Sequence, residues 1–500
     1  MISWKKANIW IQSVGKKEHN RSIMGCMMSG ELAKRGTDRS SGLVRAWIAL
    51  LFVASALSGC VFDKVMAVYT DGGPISSDSE DGTIPDLKCT KGTMNGEVVV
   101  RDRASLEELS GYRYFLDNVT IQSDTLTDLS GLECAEIITG SLVIRKNKKL
   151  ENLDGLATLR KVSKDLFLSD NDVLTDVSGL SKLETCEGVL KINANPELDS
   201  LRGLGGLTQL GSMVEGSLGG LTVRDNDNLE SLEGLHNIRW VVGHVTISGN
   251  DGLLSLDGLN ALEIIEGRLS VENNTQARHV DALASLFEVK GALQISGNSS
   301  LQNLNGLQNL EAVAGDLRVS NNLELATIGT TWKLTRLGAN LYVNDNPELE
   351  DIEAFANISA ISGGVLISNN YLLQNLGGLR SLSAKLGSNF TIRIQGNDVL
   401  TTLEGLENIE GIDGYLEVYD NFSLQNLKGL DNLTTVYNGV FIQRNANLSS
   451  LEGLGQLTFI VVEFHCSYNE RLSQCLVADF FSGLKPKPYL SVAQENAPCD

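Results

Sequence analysis

Fourteen asparagines recur through this 500-residue chain at an almost constant interval, and that interval limits what the chain can fold into. Eleven of the thirteen intervals are 24 residues long, and the other two are 31 and 27 residues. A fixed period of about 20 to 50 residues is typical of a solenoid, in which every repeat forms one coil stacked on the next. The asparagines are Asn147, Asn171, Asn195, Asn226, Asn250, Asn274, Asn298, Asn322, Asn346, Asn370, Asn397, Asn421, Asn445 and Asn469.

Each repeat places apolar residues at fixed distances from its asparagine. Two stand five and three positions before it, as Leu221 and Val223 do before Asn226, and a cluster of leucines follows it. Alternation over such a short run predicts a β-strand with two side chains inside and one outside. The period is too short for a pair of helices, and a single coil cannot bury its apolar edge alone. We therefore predict a mainly β solenoid of about 15–16 coils with a 24-residue period.

The asparagine stands where the strand ends and the chain turns a corner. Backbone amide and carbonyl groups at such a corner point inward and lack partners in a strand. A carboxamide has two N–H donors and one acceptor oxygen, so it can satisfy groups in its own coil and in adjacent coils. We predict that the fourteen side chains form a structural ladder inside the solenoid and do not bind a ligand.

The repeat, G-x-L-x-I-x-x-N-x-x-L-x-x-L-x-G-L-x-x-L-x-x-I, resembles the receptor L domain. This family is the β-helical ligand-binding module of insulin-receptor and EGF-receptor ectodomains, and the chain is most similar to its bacterial branch of long arrays. The resemblance implies a right-handed parallel β-helix related to leucine-rich repeats, and binding or adhesion in place of catalysis. The chain departs from receptors because it has many more coils and lacks their cysteine-rich modules, so no receptor function transfers.

An apolar run of 13 residues, 46–58, follows Arg45 and a basic stretch. The run is too short to span a bilayer and has the length of a signal-peptide core. It ends in the sequence L-S-G-C at Cys60, which resembles the bacterial lipobox, where a peptidase cuts before a diacylated cysteine. We therefore expect lipidation of Cys60 and anchoring by several acyl chains. The alternative is an ordinary secretory signal cleaved nearby, with a free Cys60.

These signals divide the chain into four segments and predict its location. Val61 in place of aspartate implies, by resemblance to Gram-negative lipoproteins, delivery to the bacterial outer membrane. We expect a monomer held at the cell surface by its lipid. The segments are a lipoprotein signal peptide at 1–59, with translation starting between Met24 and Met28, a flexible acidic tether at 60–88, the solenoid at 89–470 and a C-terminal cap at 471–500.

The chain is strongly acidic, with 62 acidic and 41 basic residues. A negative surface repels nucleic acid and anionic lipid, which excludes nucleic acid as a leading partner. The carboxylates either keep a surface protein soluble or favour cations and basic partners, and both interpretations stay open. The metalloprotease, serine-hydrolase, Walker and dinucleotide motifs are missing, so we expect no enzyme activity, cofactor or metal. Acid–asparagine pairs such as Asp170-Asn171 leave calcium open as an alternative.

Six cysteines follow the lipobox, and they are concentrated towards the two ends of the solenoid. An even number of cysteines in an exported protein indicates disulfides, and this placement fits bonds that close the ends of the stack. Cys186 and Cys466 occupy apolar repeat positions, which predicts buried thiols. Cys475 also stands where other coils carry a core leucine. The predicted pairs are Cys89–Cys134 and Cys475–Cys499.

The outward residue between the two core positions of each strand forms a column along one face of the solenoid. The middle of the column is small and polar, whereas its C-terminal third carries aromatic residues and arginine. Such residues are typical of binding hot spots, although aromatic residues also favour strands for packing reasons alone. The alternative is a structural or adhesion spacer without a defined ligand. We predict a face that binds a protein or a glycan at Tyr342, Leu366, Arg393, Tyr419 and Phe441.

Overall fold

The computed structural model describes residues 88–212, 219–383 and 389–499, which wind into stacked coils. In a typical coil the chain adds one strand to a main sheet, turns a corner at its asparagine, and adds a short strand to a side sheet. Strands of neighbouring coils pair in parallel and in sequence order. The predicted mainly β solenoid with parallel sheets is therefore confirmed. The predicted signal peptide and Cys60 lie outside the described residues, as does the tether up to residue 87.

The main sheet has seventeen strands among the described residues, and sixteen of them lie within the predicted solenoid. The strands are Val98–Val100, Val119–Ile121, Leu142–Arg145, Leu166–Ser169, Val189–Asn193, Gly220–Arg224, His244–Ser248, Leu269–Glu272, Leu293–Ser296, Leu317–Ser320, Leu341–Asn344, Val365–Ser368, Ile392–Gln395, Tyr415–Tyr419, Gly439–Gln443, Glu463–Ser467 and Leu490–Gln494.

The side sheet is built from shorter strands and has two parts, of twelve and three strands in the described residues. The first part contains Lys91–Met94, Tyr112–Phe115, Ile137–Ile138, Lys161–Val162, Thr185–Cys186, Gln209–Leu210, Trp240–Val241, Ile264–Ile265, Glu288–Val289, Ala312–Val313, Arg336–Leu337 and Ala360–Ile361. The second part contains Gly411–Ile412, Thr435–Val436 and Phe459–Ile460.

Helical segments are short, and most lie between the asparagine corner of a coil and its following side-sheet strand. Helix α1 spans Arg103–Glu107, and helix α2 spans Gln474–Gly483 near the C-terminus. In the part of the chain that the structure describes, neither is long and apolar enough to cross a membrane. The single 3-10 turns are Ser130–Leu132, Asp154–Leu156, Ser178–Leu180, Arg202–Leu204, Asp281–Ser285, Asn305–Leu307, Glu353–Phe355 and Gly377–Leu379.

The leucines of the repeat fill the interior of every coil. In the coil that follows Asn298, Leu304, Leu307 and Leu310 are fully buried. Burial of each such side chain contributes about 1.5–3 kcal/mol. Gly306 lies where the backbones of two coils meet, since a Cβ atom there would stand only 1.9 Å from the carbonyl oxygen of Val280. The stacking distance between coils therefore favours a small residue here, and alanine takes the same position in two coils, at Ala282 and Ala354.

The fourteen asparagines are at most 1% exposed and form a continuous ladder. Asn298 Oδ1 accepts hydrogen bonds from the backbone N–H of Asn274 at 3.1 Å and from its Nδ2 at 3.2 Å. Asn298 Nδ2 donates to the carbonyl oxygen of Val271 at 2.9 Å. The same contacts recur from coil to coil. Each carboxamide therefore satisfies the corner groups of the coil before it.

The ladder continues beyond Asn469 to a fifteenth asparagine, Asn496. Its Oδ1 accepts from the backbone N–H of Asn469 at 3.1 Å, and its Nδ2 donates to the carbonyl oxygen of Cys466 at 2.9 Å. The strand Leu490–Gln494 pairs in parallel with Glu463–Ser467. The C-terminal segment predicted as a cap therefore contains one more coil, with helix α2 inserted before its strand.

The N-terminal end of the ladder is formed by a serine. Asn147 Oδ1 accepts from the backbone N–H of Ser123 at 2.8 Å, and Ser123 is 3% exposed. Ser123 lies 24 residues before Asn147, so the usual interval of the ladder is kept at this end. The segment from strand to corner is one residue shorter here, because Ser123 follows Val119 by four residues whereas Asn147 follows the paired Leu142 by five.

The residue before each ladder asparagine has a left-handed backbone, with φ between 53° and 61° where it is not glycine. Aspartate, asparagine and glycine tolerate this conformation best, and they fill ten of the fifteen positions. Pairs such as Asp170-Asn171 therefore have a conformational explanation that needs no calcium. No group of three His, Cys, Asp or Glu side chains in the described ranges is arranged to hold a metal.

Both expected disulfides are formed, Cys89–Cys134 near the first coils and Cys475–Cys499 near the last. The expectation that Cys475 replaces a core leucine was wrong. Cys475 lies on helix α2 and is exposed, because the chain leaves the coil path after Leu472 and the helix packs its own Val477 inward. Helix α2 also places Phe480 against Phe464, with ring centroids 5.4 Å apart, and so covers the last coil.

Replacing Asn298 with leucine should destabilise the solenoid by about 2–5 kcal/mol, because a buried N–H and a buried carbonyl each lose their partner. Urea unfolding followed by circular dichroism measures the effect as a lower midpoint. The exposed Asn228 provides the control, since Asn228→Leu should change the stability by less than about 0.5 kcal/mol. Equal midpoints for the two variants would contradict a structural role of the ladder.

Burial raises the pKa of the Cys186 and Cys466 thiols to about 12. A thiol whose pKa is raised by folding stabilises the folded chain below its usual pKa of about 8.5, and this contribution is lost as the pH rises towards 12. At pH 8.5 we expect iodoacetamide to alkylate both cysteines far more slowly in the native chain than in urea. Peptide mass spectrometry measures both sites, and equal rates in the two states would contradict burial of the thiols.

Candidate binding face

The predicted face residues lie side by side across the C-terminal part of the main sheet. Strand register places Tyr342 opposite Leu366, Leu366 opposite Arg393, Arg393 opposite Glu417, and Glu417 opposite Phe441. The five predicted face residues are all half-buried, because their side chains point away from the core and rest on neighbouring strands. At about 4.8 Å per strand, Tyr342 and Phe441 are about 19 Å apart. They therefore belong to two separate groups on one face.

The first group is an aromatic cluster formed by Tyr415, Tyr419, Phe441 and His465. The ring of Phe441 is 6.0 Å from that of Tyr415 and 6.3 Å from that of Tyr419, measured between centroids. His465 stacks on Phe441 at 4.7 Å with an interplanar angle of 10°. Gly439 leaves room for the ring, since a Cβ atom there would lie 3.0 Å from Phe441 Cε2. The cluster is therefore preformed.

Carboxylates with fixed orientations border this cluster. Arg393 Nε donates to Glu417 Oε2 at 2.7 Å, and this bond raises the pKa of the Arg393 guanidinium. Burial, followed by the nearby charge of Glu417, raises the pKa of the Tyr419 hydroxyl well above its usual range. His465 Nε2 lies 3.1 Å from Glu463 Oε2. The cluster thus combines aromatic surface with acceptors held in place, and Tyr419 stays neutral at physiological pH.

The second group consists of Arg318, Tyr342 and Leu366. The Arg318 guanidinium lies over the Tyr342 ring, 4.0 Å from its centroid, as in a cation–π contact. One face of the Tyr342 ring is therefore covered within the chain. A partner would meet the guanidinium of Arg318 and the apolar side chain of Leu366 in this group, whereas it would meet aromatic rings in the aromatic cluster.

The middle of the column carries small polar residues, as the sequence indicated. Thr222, Thr246, Ser270 and Gln294 lie opposite one another on four successive strands. Ser270 is only 1% exposed, and its Oγ has no hydrogen-bond partner among the described residues. Thr222, Thr246 and Gln294 present hydroxyl and amide groups without charge. The stretch separates the C-terminal groups from Phe167 and Lys191 near the other end.

The predicted face included Phe441 and Tyr419. It did not include Tyr415 and His465, whose rings contact Phe441. Tyr415 lies two positions before Glu417 on the same strand, so alternation puts it on the same side of the sheet. His465 belongs to the column itself, directly after Phe441. Alternation along the strand is therefore the sequence signal for Tyr415, and the column itself is the signal for His465.

Residues 263–354 match the family model of the receptor L domain. Among solved structures, the chain is similar to a leucine-rich-repeat protein of Leptospira interrogans, with 14% identity over 79% of this chain and 99% of that chain and a TM-score of 0.24. It is also similar to the structure of the TLR13–ssRNA13 complex, with 12% identity over 81% of this chain and 83% of that chain and a TM-score of 0.19. Comparison with curated proteins found no match. Structural similarity at these TM-scores says nothing about what this chain binds.

Proposed function

We propose that this chain is a lipid-anchored, non-catalytic solenoid of the cell surface that binds a protein or glycan partner on its main sheet. The observation that carries the proposal is the aromatic cluster of Tyr415, Tyr419, Phe441 and His465 on the outer face of the sheet. The match of residues 263–354 to the receptor L domain supports a binding role for the coils.

The aromatic cluster has the chemistry of a recognition surface. Aromatic rings pack against the apolar faces of sugars and of partner side chains, and they contribute much binding energy per residue. The rings already contact one another, and Glu417 is fixed by Arg393. A partner would therefore meet side chains that are largely ordered before binding, which reduces the entropic cost of association.

The proposed absence of catalysis rests on how the titratable groups of this face are used. Glu417 is paired with Arg393, and Glu463 contacts His465. General acid–base chemistry needs a group positioned against substrate with a pKa near the working pH. These groups are engaged with one another and support the positions of the rings.

The anchor is proposed from the lipobox at Cys60. Several acyl chains on an N-terminal cysteine would hold the chain stably at a bilayer. The acidic segment 60–88 would then separate the membrane from the coils. We propose the bacterial outer membrane as the location and a monomer as the active form.

A second candidate is a spacer of the cell envelope without a defined ligand. The regularity of the ladder favours it, because a stack of equivalent coils gives length whatever its outer face carries. A spacer would tolerate changes on the face and the removal of whole coils.

The double variant Tyr342→Ala, Phe441→Ala should lose at least tenfold in affinity, because aromatic residues at the centre of a binding surface carry most of its energy. Binding of the purified full chain is measured on immobilised glycans and on cell-envelope extract. The matched control is Phe167→Ala, which removes an aromatic residue from the N-terminal part of the same column. Unchanged binding in the double variant would contradict the proposed face and favour the spacer.

The variant Cys60→Ala should abolish incorporation of a palmitate analogue in bacterial cells and release the chain from the membrane fraction. Gel fluorescence of the labelled chain measures incorporation, and Cys186→Ala, which removes a free buried cysteine of the coils, provides the control. Equal labelling of the Cys60→Ala variant and the original chain would exclude a lipid anchor at this cysteine.

A further inference from the structure

A second exposed apolar surface lies at the corner beside the ladder, away from the aromatic cluster. Its residues stand one or two positions after a ladder asparagine, and we call them the corner stripe. Single exposed apolar side chains are common, whereas a contiguous set marks an interaction site. The corner stripe consists of Leu323, Tyr371, Leu372, Val399 and Phe422, which are 54%, 48%, 38%, 40% and 58% exposed.

The corners that carry the stripe stack directly on one another from coil to coil. The backbone N–H of Ser423 donates to the carbonyl oxygen of Asp398 at 3.1 Å, and that of Asn447 donates to Phe422 at 3.3 Å. Pro347 fills the corner position in the coil between Leu323 and Tyr371. Four coil steps at about 4.8 Å give the stripe a length of about 19 Å.

The stripe is confined to the C-terminal half of the solenoid. In the seven coils from Asn147 to Asn298, the residue directly after the asparagine is lysine, aspartate, proline, threonine or serine. The second position after it is apolar and larger than glycine only at Val173, which is half-buried and not exposed as Val399 is. Fold requirements at the corner are the same in all coils, because the ladder contacts do not change along the stack. The change to leucine, tyrosine and phenylalanine is therefore not explained by the architecture.

Carboxylates surround the corner stripe. Glu324 follows Leu323 directly, Asp398 precedes Val399, and Glu348 and Glu350 lie in the coil between Leu323 and Tyr371. All four carboxylates are exposed. Within the described ranges, none of them forms an ion pair. The rim thus has unpaired negative charge beside exposed apolar side chains.

We propose that the corner stripe docks a basic amphipathic segment of another protein. Apolar side chains of such a segment would cover the stripe, and its lysine or arginine groups would meet the unpaired carboxylates of the rim. The same negative charge disfavours an anionic membrane and a second copy of this acidic chain. This inference goes beyond the proposed function, since it concerns a different surface, at the coil corners and away from the main-sheet face.

The test uses a fluorescent 14-residue peptide of lysine and leucine patterned as an amphipathic helix, which is about 21 Å long and matches the stripe. Fluorescence anisotropy measures its binding to the purified full chain. We expect at least a tenfold loss of affinity in Tyr371→Ser, Phe422→Ser, and a threefold or larger loss in Glu348→Gln, Glu350→Gln. All four side chains are exposed, so the variants should keep the original thermal stability.

Two controls separate a specific site from general attraction between opposite charges. Glu233→Gln, Asp257→Asn removes two exposed carboxylates from coils outside the stripe and should leave the affinity unchanged. Phe441→Ala changes the aromatic cluster and should also leave peptide binding unchanged, so failure of this inference is distinguishable from failure of the proposed function.

Several results would overturn the inference. Equal binding of a glutamate–leucine peptide would exclude charge complementarity, and equal losses in the rim variant and in its distant control would show attraction without a site. Unchanged affinity in Tyr371→Ser, Phe422→Ser would exclude the stripe. Binding to phosphatidylcholine vesicles that depends on Phe422 would assign the surface to a membrane. A dimer that dissociates in the Phe422 variant, measured by sedimentation, would assign it to a second copy.

Discussion

The hydrogen bonds of one carboxamide per coil hold this architecture together. At each corner the chain leaves the main sheet, and a backbone N–H and a carbonyl turn inward, where water cannot reach them. Asn298 binds these groups for the coil before it, and Asn322 does the same for the coil of Asn298. An unsatisfied buried polar group costs about 1–3 kcal/mol. The stack therefore depends on an amide side chain at this place in nearly every coil.

The ladder also determines what the outer surfaces can be. Because every corner has the same bonds, main-sheet strands keep one register, and outward residues of successive coils align in columns. The aromatic cluster results from three such columns, and the corner stripe from the turn next to the ladder. Constant geometry inside leaves the outside positions free to vary. Differences between coils at these positions are therefore informative about binding.

Much of the fold followed from the sequence because it depends on local rules repeated many times. The 24-residue period, the alternation before Asn226 and the single carboxamide per corner led to the parallel stack, and clustering of cysteines led to both disulfides. Asn496 was missed because helix α2 separates its strand from the previous coil and hides the repeat. Ser123 was missed because it has no carboxamide, although it lies at the usual interval of 24 residues before Asn147. At Asn496 an insertion lengthens the interval to 27 residues while the hydrogen bonds of the ladder stay the same.

The face was predicted less completely than the fold. Tyr342 and Phe441 share a column of outward residues. Membership of that column does not show that Arg318 covers Tyr342 or that Gly439 makes room for Phe441. Such contacts depend on side-chain conformations across strands, which a repeat pattern does not specify. The corner stripe was missed for a different reason, since turns are expected to be polar and their apolar residues carry no structural signal.

Hydrogen–deuterium exchange of the corner amides tests the role of the ladder most directly. The backbone N–H of each ladder asparagine donates to the carboxamide of the next coil, so its exchange reports on that bond. The account predicts that these amides exchange as slowly as those in the middle of the main-sheet strands. Exchange as fast as that of the exposed turn residues that follow them would contradict it.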